Sequence, residues 1–543
     1  MTNSLDDIAE AAESYLVIGS NTTAQHPVLG VRLRRAAQQR GAVIIVADPR
    51  SIPLTELATL HIRHRPGTDV ALLNGIAHVL VRSGWIDQEF ITGRTEGFAE
   101  YKTTLEQYPP DVAAEICGVS VEDIETAARL LWEHRPGAVL YAMGITQHIS
   151  GVNNVLAIAN LQMLLGNLGK PGSGVNPLRG QNNVQGACDM GGLPNVYPGY
   201  QSAAVEVHRD RFAAAWGYAP GLKPGLTLTE IFDAAGQGAI RAIYMVGENP
   251  AMTDPDVGHL VDALSKCEFL VCQDLFLNET SQLAHVILPA ASFAERDGTF
   301  TNTERRVQRV RAAVAPPGEA RPDWQILADL APRLLRASGE SREGPYAGWD
   351  YASPSEVMTE IAALTPSYAG ISYPRLEPNG LQWPCPSPDH PGTPILHTER
   401  FTRGQGRFVS VDYMPPSELP DEEYPMILTT GRVLEHWHGR TMTSRTPLEK
   451  LVGSNRVTIH PEDAIRMGID DGDRVRVVSR RGEVHVHAEV SESVQPGLVF
   501  MTFHFAETNA NILTHRTLEP TAKTPAFKVS AVRVERLDTA RES

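Results

Sequence analysis

Apolar positions along the chain fall into two regimes. From residue 15 to about 336, short β-branched runs alternate with longer segments whose apolar residues recur at helical spacing. "YLVIGSN" (15–21) predicts a buried strand ending in a Gly/Ser/Asn turn. "HPVLGVRLRRAAQQRG" (26–41) predicts a helix opened by Pro27 and stopped by Gly41. "AVIIVADPR" (42–50) predicts a second strand ending on an acid. A strand–helix–strand unit of this kind calls for a parallel sheet covered by helices. The fingerprint G-x-G-x-x-G is absent from its first turn, so a nucleotide site there rests on geometry rather than on a motif.

The pattern continues with a loop and helix in "RPGTDVALLNGIAHVLVRSG" (65–84), capped by Thr68 or Asp69, and helical text to about 133. A strand at 137–144 and a helix at 151–167 follow. Periodicity then vanishes across "GVNPLRGQNNVQGACDMGG" (174–192), a stretch of glycines and amide side chains around one arginine and one acid. A second block predicts a helix at 226–235 and strands at 239–250, 269–274 and 285–290. Residues 337–424, rich in Pro, Gly, Ser and Glu, read as a connecting region with one helix at 354–364. From Pro425 the second regime begins: short alternating strands, with hairpin text around Arg481-Gly482, which predict a small β-barrel. The expected fold is therefore α/β. Residues 1–336 form two interleaved halves of open, mostly parallel sheets with helices on both faces. A connecting region (337–424) and a C-terminal barrel domain (425–543) complete it.

Composition narrows the chemistry. The 543 residues carry 48 basic and 64 acidic side chains, a net charge of −16, which argues against nucleic acid or an anionic membrane as the main partner. No apolar run reaches the length of a membrane span, and the N-terminus lacks the basic start and apolar middle of a signal peptide. Five scattered cysteines (117, 188, 267, 272, 385) with no C-x-x-C speak for a reducing compartment and against a zinc or iron–sulfur site made by this chain alone. A cytoplasmic enzyme subunit is the expectation.

Polar loops recur at strand ends: 19–23, 48–50, 66–69, 144–148, 247–250, 273–274, 295–305, 430–445 and 504–511. Singly each reads as an ordinary turn. Together they suit one large polar ligand, since glycines let backbone N–H groups approach phosphates and acids accept from ribose or guanine. "ASFAERDGTFTNTERRVQRVR" (291–311) offers a mixed donor and acceptor face. In "TTGRVLEHWHGRTMTSRT" (429–446), His436 and His438 share one face if the text is a strand; with no acid or cysteine to complete a set, no metal site is assigned.

These segments, together with "GSNTTAQHPVLG", "RPGTDVALLNG", "GENPAMTDPD", "VCQDLFLNET" and "HPEDAIRMGIDDGDRVRV", resemble the catalytic alpha subunit of molybdenum- or tungsten-dependent formate dehydrogenases, bis-molybdopterin guanine dinucleotide oxidoreductases, over nearly the whole chain. The resemblance implies that Arg179 holds the formate carboxylate beside the metal. It implies one nucleotide site at Gly19, Asn21, Asp48, Arg50, Gly67 and Asp69. It places Gly144, Gln147, Gly247, Asn249, Gln273, Asp274, Asp297 and Asn302 along the cofactor cleft. Thr430, Gly431, Arg432, His436, His438, Thr443, His504, Asn511 and Lys528 would come from the barrel.

The chain also departs from that pattern. The family's iron–sulfur cysteine cluster, and the metal-ligating cysteine or selenocysteine followed by a proton-accepting histidine, have no counterpart here. "MTNSLDDI" resembles text lying just after that pair, so Met1 is expected to be internal to a longer subunit. The implied partners are formate and CO2, a polypeptide carrying the iron–sulfur and Cys/Sec-His segment, and electron-transfer subunits. The alternative is a non-catalytic cofactor-binding relative.

Overall fold

Five parallel strands build the first sheet: β1 (Ser14–Ile18), β2 (Val43–Ala47), β3 (Leu60–Ile62), β4 (Gly137–Tyr141) and β5 (Gly174–Pro177), in the order β3-β2-β1-β4-β5. Ser14 stands opposite both Val43 and Gly137. Strand alternation divides their side chains between two cores. Leu16, Ile18, Ile45 and Val139 face the core that includes residues of helices Asp69–Arg82 and Gly151–Leu164. Tyr15, Val17, Ile44 and Leu140 face the one with residues of helices Leu5–Ala11 and Pro27–Arg40. Each fully buried Val, Leu or Ile contributes roughly 1.5–3 kcal/mol of transfer free energy, which pins this register. Pro27 opens its helix and Gly41, at φ 72°, closes it, as the sequence predicts. Thr68 takes the cap position of the next helix, but its hydroxyl donates to Arg65 O at 2.7 Å instead of accepting from the helix.

The chain order reverses at β1, whose neighbours β2 and β4 leave in opposite directions, so a crevice opens at their carboxyl ends. There Gly144 N donates to Gly19 O at 3.0 Å, and a Cβ on Gly19 would fall 2.7 Å from the Gly144 carbonyl carbon. Glycine at 19, with φ 57°, is required by this close approach.

The computed structural model describes residues 1–537 and divides into two compact units. The first contains Met1–Leu178, Pro250–His259 and the chain from Ile395 onward; the second contains Arg179–Asn249 and Leu260–Pro394. Residues 337–394 thus belong to the second unit and 395–424 to the first.

In the second unit, β6 (Ala242–Val246), β7 (Phe269–Asp274) and β8 (Val286–Pro289) form a parallel sheet ordered β8-β7-β6. β6 is shorter than 239–250 because Gly247 turns the chain at φ 64°. The stretch 291–311 folds as an antiparallel hairpin of β9 (Gly298–Thr301) and β10 (Arg306–Val310), and Leu381–Gln382 (β11) pairs with β10. Helix Pro354–Leu364 is present as predicted.

The barrel closes the first unit. Its strands are β12 (Met426–Gly431), β13 (Arg456–Ile459), β14 (Arg474–Val478), β15 (Glu483–Val490), β16 (Leu498–Thr502) and β17 (Ser530–Arg536), ordered β12-β16-β13-β15-β14-β17. β14 and β15 form the predicted hairpin, with Val484, Val486 and Ala488 inside and the residues between them exposed. Residues 436–438 are loop rather than strand: β12 ends at Gly431, where its partner β16 ends at Thr502. Among the described residues no helix is long and apolar enough to cross a membrane.

Candidate functional site

Within the first unit, loops from the first sheet meet barrel strand β12 around an open cavity. Gly19, Asn21, Asp48, Arg50, Gly67, Asp69, Gly144, Thr430, Gly431 and Lys528 all line it. The structure thus brings together residues that the sequence spreads across some 500 positions. Gln25, His64, Met143 and His148 line it too; sequence reasoning missed them.

The cavity holds charge out of water. Lys528 is 8% exposed, and its ammonium donates to Thr430 O at 2.7 Å. Burial pushes its pKa down to about 7; Arg50 adds repulsion and Asp48 opposes it. Asp48 accepts from the Arg50 backbone at 3.0 Å, and the Arg50 guanidinium lies over the Phe500 ring. Asn21 caps the short helix after β1 by accepting from Ala24 N.

His64 and Asp69 form a buried pair at 3.0 Å. Burial alone would lower the imidazole pKa, but the hydrogen bond and charge of Asp69 raise it; burial would raise Asp69, and His64 lowers it. His148 donates to Gly144 O at 2.9 Å and is pushed down by burial. Asp69 Oδ2 is buried with no hydrogen-bond partner and His64 Nδ1 has only the Ile62 backbone beside it, and both residues line the cavity. A polar ligand would satisfy Asp69 Oδ2. The signal in the sequence was weak, since a histidine five positions before an aspartate reads like any loop pair.

The loop after β12 is held from within. The Thr443 hydroxyl meets His436 Nδ1 at 3.0 Å, and His436 Nε2 donates to Val452 O at 2.5 Å. His504 accepts from Val433 N and donates to His438 O at 2.9 Å, so its tautomer is fixed and neutral; burial pushes its pKa down to about 3. Asn511 donates to Thr253 O at 2.9 Å. Lys528 apart, the loop's remaining open polar groups are Arg432 Nε and His438 Nε2, both buried without a hydrogen-bond partner. Burial and the charges of Arg432 and Lys528 push His438 down to about 4. His436, Thr443 and His504 therefore brace the loop, Asn511 ties to the backbone of Met252 and Thr253 with its Oδ1 buried and unsatisfied, and Gln147 ends the short helix at 143–146.

In the second unit, Arg179 begins the polar stretch. Its backbone N–H donates to Thr303 Oγ1 at 3.0 Å and its Nε to Gln185 Oε1 at 3.2 Å. Cys188 is half-buried nearby, its thiol pushed up by burial and pulled down by Arg179. Gly247, Gln273 and Asp274 gather at the carboxyl ends of β6 and β7, where Gly247 N donates to Gln273 O. Several predicted ligand contacts spend their polar atoms inside the unit. Asn249 bonds Glu279 and Thr280, Gln273 bonds Tyr244 and Asp323, and Asp274 bonds Leu275 N and Asn278. Asn302 turns the β9–β10 hairpin by accepting from Glu304 N and Arg306 N. Asp297 is half-exposed, 3.9 Å from Arg309. Among the described residues no three His, Cys, Asp or Glu side chains group as a metal site.

An open cavity with a buried lysine, unsatisfied donors and acceptors and glycine-permitted loop contacts fits a large anionic nucleotide cofactor. The comparisons agree. The family model described as molybdopterin oxidoreductase matches residues 1–333, and that described as molydopterin dinucleotide binding domain matches 426–531. The F420-dependent formate dehydrogenase 1 subunit alpha of Methanococcus maripaludis is 48% identical over 99% of this chain and 78% of its own length. The F420-dependent formate dehydrogenase subunit alpha of Methanocaldococcus jannaschii is 46% identical over the same shares. The solved structure of acetylene hydratase from Pelobacter acetylenicus shares the fold, with a TM-score of 0.74 at 18% identity, over 97% of this chain and 78% of that one.

Proposed function

The chain belongs to the molybdopterin oxidoreductase family, and on that premise we propose that it is the formate-oxidising subunit of a formate dehydrogenase. The reaction is HCOO⁻ → CO2 + H⁺ + 2e⁻. The observation that carries the reading is Arg179: a guanidinium on a polar loop, in a chain nearly half identical to formate dehydrogenase alpha subunits. A planar fork can clamp both oxygens of a small carboxylate and so aim its C–H bond.

The cofactor in this reading is molybdopterin guanine dinucleotide, two copies around molybdenum or tungsten, and it supplies the two-electron redox centre. Gly19, Asn21, Asp48, Arg50, Gly67, Asp69, Gly144 and Lys528 would hold one nucleotide end, with Lys528 and Arg50 facing phosphate. Arg432 and His438 would donate to the cofactor from the barrel loop. Gly247, Gln273, Asp274, Asp297 and Asn302, all in the second unit, are assigned to the cofactor, with the amides of Gln273 and Asn302 serving chiefly to shape the loops. The chain works as a cofactor-holding α/β region (1–336), a connecting region (337–424) and a barrel that closes over the cofactor (425–543). The metal-ligating cysteine or selenocysteine, the proton-accepting histidine and the first iron–sulfur cluster would be supplied by polypeptide outside these residues, the cluster serving as a one-electron acceptor.

The test uses the chain co-expressed with the polypeptide that carries the iron–sulfur segment. Purified complex should contain molybdenum or tungsten and two guanine nucleotides per chain, and convert ¹³C-formate to ¹³CO2 with two electrons delivered per formate. A fully loaded complex that produces no ¹³CO2 refutes the reading.

A further inference from the structure

The Arg179 side chain meets an amide group that can point two ways. Gln185 accepts from Arg179 Nε through Oε1. Its Nε2 donates to Asp189 Oδ1 at 2.8 Å and to the Tyr200 hydroxyl at 2.9 Å. Rotated by half a turn, the amide would set its NH2 against the Arg179 N–H, donor facing donor. Asp189 decides between the two states. It is fully buried, and its second oxygen receives the Tyr368 hydroxyl at 2.5 Å and Trp383 Nε1 at 2.6 Å. An indole N–H only donates and a carboxylate only accepts, so each bond has one permitted direction. The sense runs from Trp383 to Asp189, fixes the NH2 end of Gln185 toward Asp189, and leaves its oxygen for Arg179.

We propose that Gln185 and Asp189 are positioning residues for the substrate arginine: the buried carboxylate sets the direction of the amide, and the amide sets the orientation of the Arg179 guanidinium. This rests on the formate reading and adds to it two residues that do not touch substrate. Asparagine at 189 would keep the size but carry one donor end and one acceptor end. Either its NH2 would oppose the Trp383 N–H, which can only donate, or its NH2 would face Gln185 and force that amide to flip.

The experiment uses the co-expressed holoenzyme, with variants compared at equal metal and guanine content. Asp189→Asn should raise the formate KM about tenfold or more while kcat changes by less than about threefold, since a misdirected guanidinium weakens formate capture. Gln185→Leu should do the same. In the double variant the two effects should not multiply, because one relay is broken once. A formate KM within about twofold of wild type in Asp189→Asn, or fully multiplicative effects, overturns the inference. If Asp189→Asn does not load cofactor, Tyr368→Phe removes one donor to the carboxylate and keeps the ring; it should raise KM about threefold, and an unchanged KM at full loading overturns the inference equally. Arg179→Ala separates the two levels. If it abolishes formate turnover while Asp189→Asn is indifferent, only the relay is wrong; if its kcat/KM is unchanged, the formate reading falls and the relay with it.

Discussion

The guanidinium carbon of Arg50 stands 3.9 Å from the centre of the Phe500 ring. Arg50 follows the second strand of the first sheet and Phe500 belongs to the barrel, so the contact ties two separately coded parts of one unit at the edge of the cavity. Burial lowers the Arg50 pKa and Asp48 opposes that, so the cation is kept by its neighbours and not by water.

Replacing Phe500 by leucine keeps an apolar barrel residue and removes the aromatic face. A cation–π contact at a partly desolvated site is worth about 1 kcal/mol. Phe500→Leu should therefore speed cofactor loss from the holoenzyme about fivefold, measured as release of guanine nucleotide after dilution. Equal release rates would show that the stack does not orient Arg50 for the ligand.

Burying the Lys528 ammonium lowers the stability of the cofactor-free protein. Its pKa falls from 10.5 to about 7 on folding, so the penalty is absent above pH 10.5, grows as pH falls, and is complete below pH 7. The shift corresponds to on the order of 5 kcal/mol. Lys528→Met should stabilise the cofactor-free chain at pH 7 in urea titrations, with the difference vanishing near pH 10.5, and should lower its capacity to retain cofactor. A destabilised variant at pH 7 would contradict this.

The His64–Asp69 pair acts with the opposite sign. The contribution of His64 is fully present below pH 6.5 and fades as pH rises through its elevated folded value; that of Asp69 is present above pH 3.8 and fades as pH falls through its lowered one. Asp69→Asn should cost about 3 kcal/mol between pH 4 and 6.5 and less at higher pH, read from denaturation midpoints. A deficit independent of pH would show that the pair is not ionised.

The sequence made the local half of this picture legible. Pro27, Gly41 and the β-branched runs announce the first strand–helix–strand unit because those signals act within a few residues. The strand-end positions Gly19, Asp48 and Gly67 were legible as loop chemistry, and the structure gathers them with Thr430 and Lys528. Partner choice was not legible. Composition shows that Asn249, Gln273 and Asn302 carry amides, but their bonds go to Thr280, Asp323 and the hairpin backbone, which only the fold brings near. The loop position of His436 and His438 depends on where β16 ends, a fact of strand pairing across the barrel. Asp189 passed as a loop acid because the side chains that bury it, Tyr368 and Trp383, come from much later in the chain.

The most direct measurement is steady-state formate oxidation by Arg179→Ala and Arg179→Lys holoenzymes, matched to wild type in metal and guanine content. A charged bidentate contact to a small anion is worth roughly 3 kcal/mol or more. Removing it should lower kcat/KM at least about a hundredfold in Arg179→Ala, with only partial recovery in Arg179→Lys, which keeps the charge and loses the fork. An unchanged kcat/KM in Arg179→Ala would contradict the account.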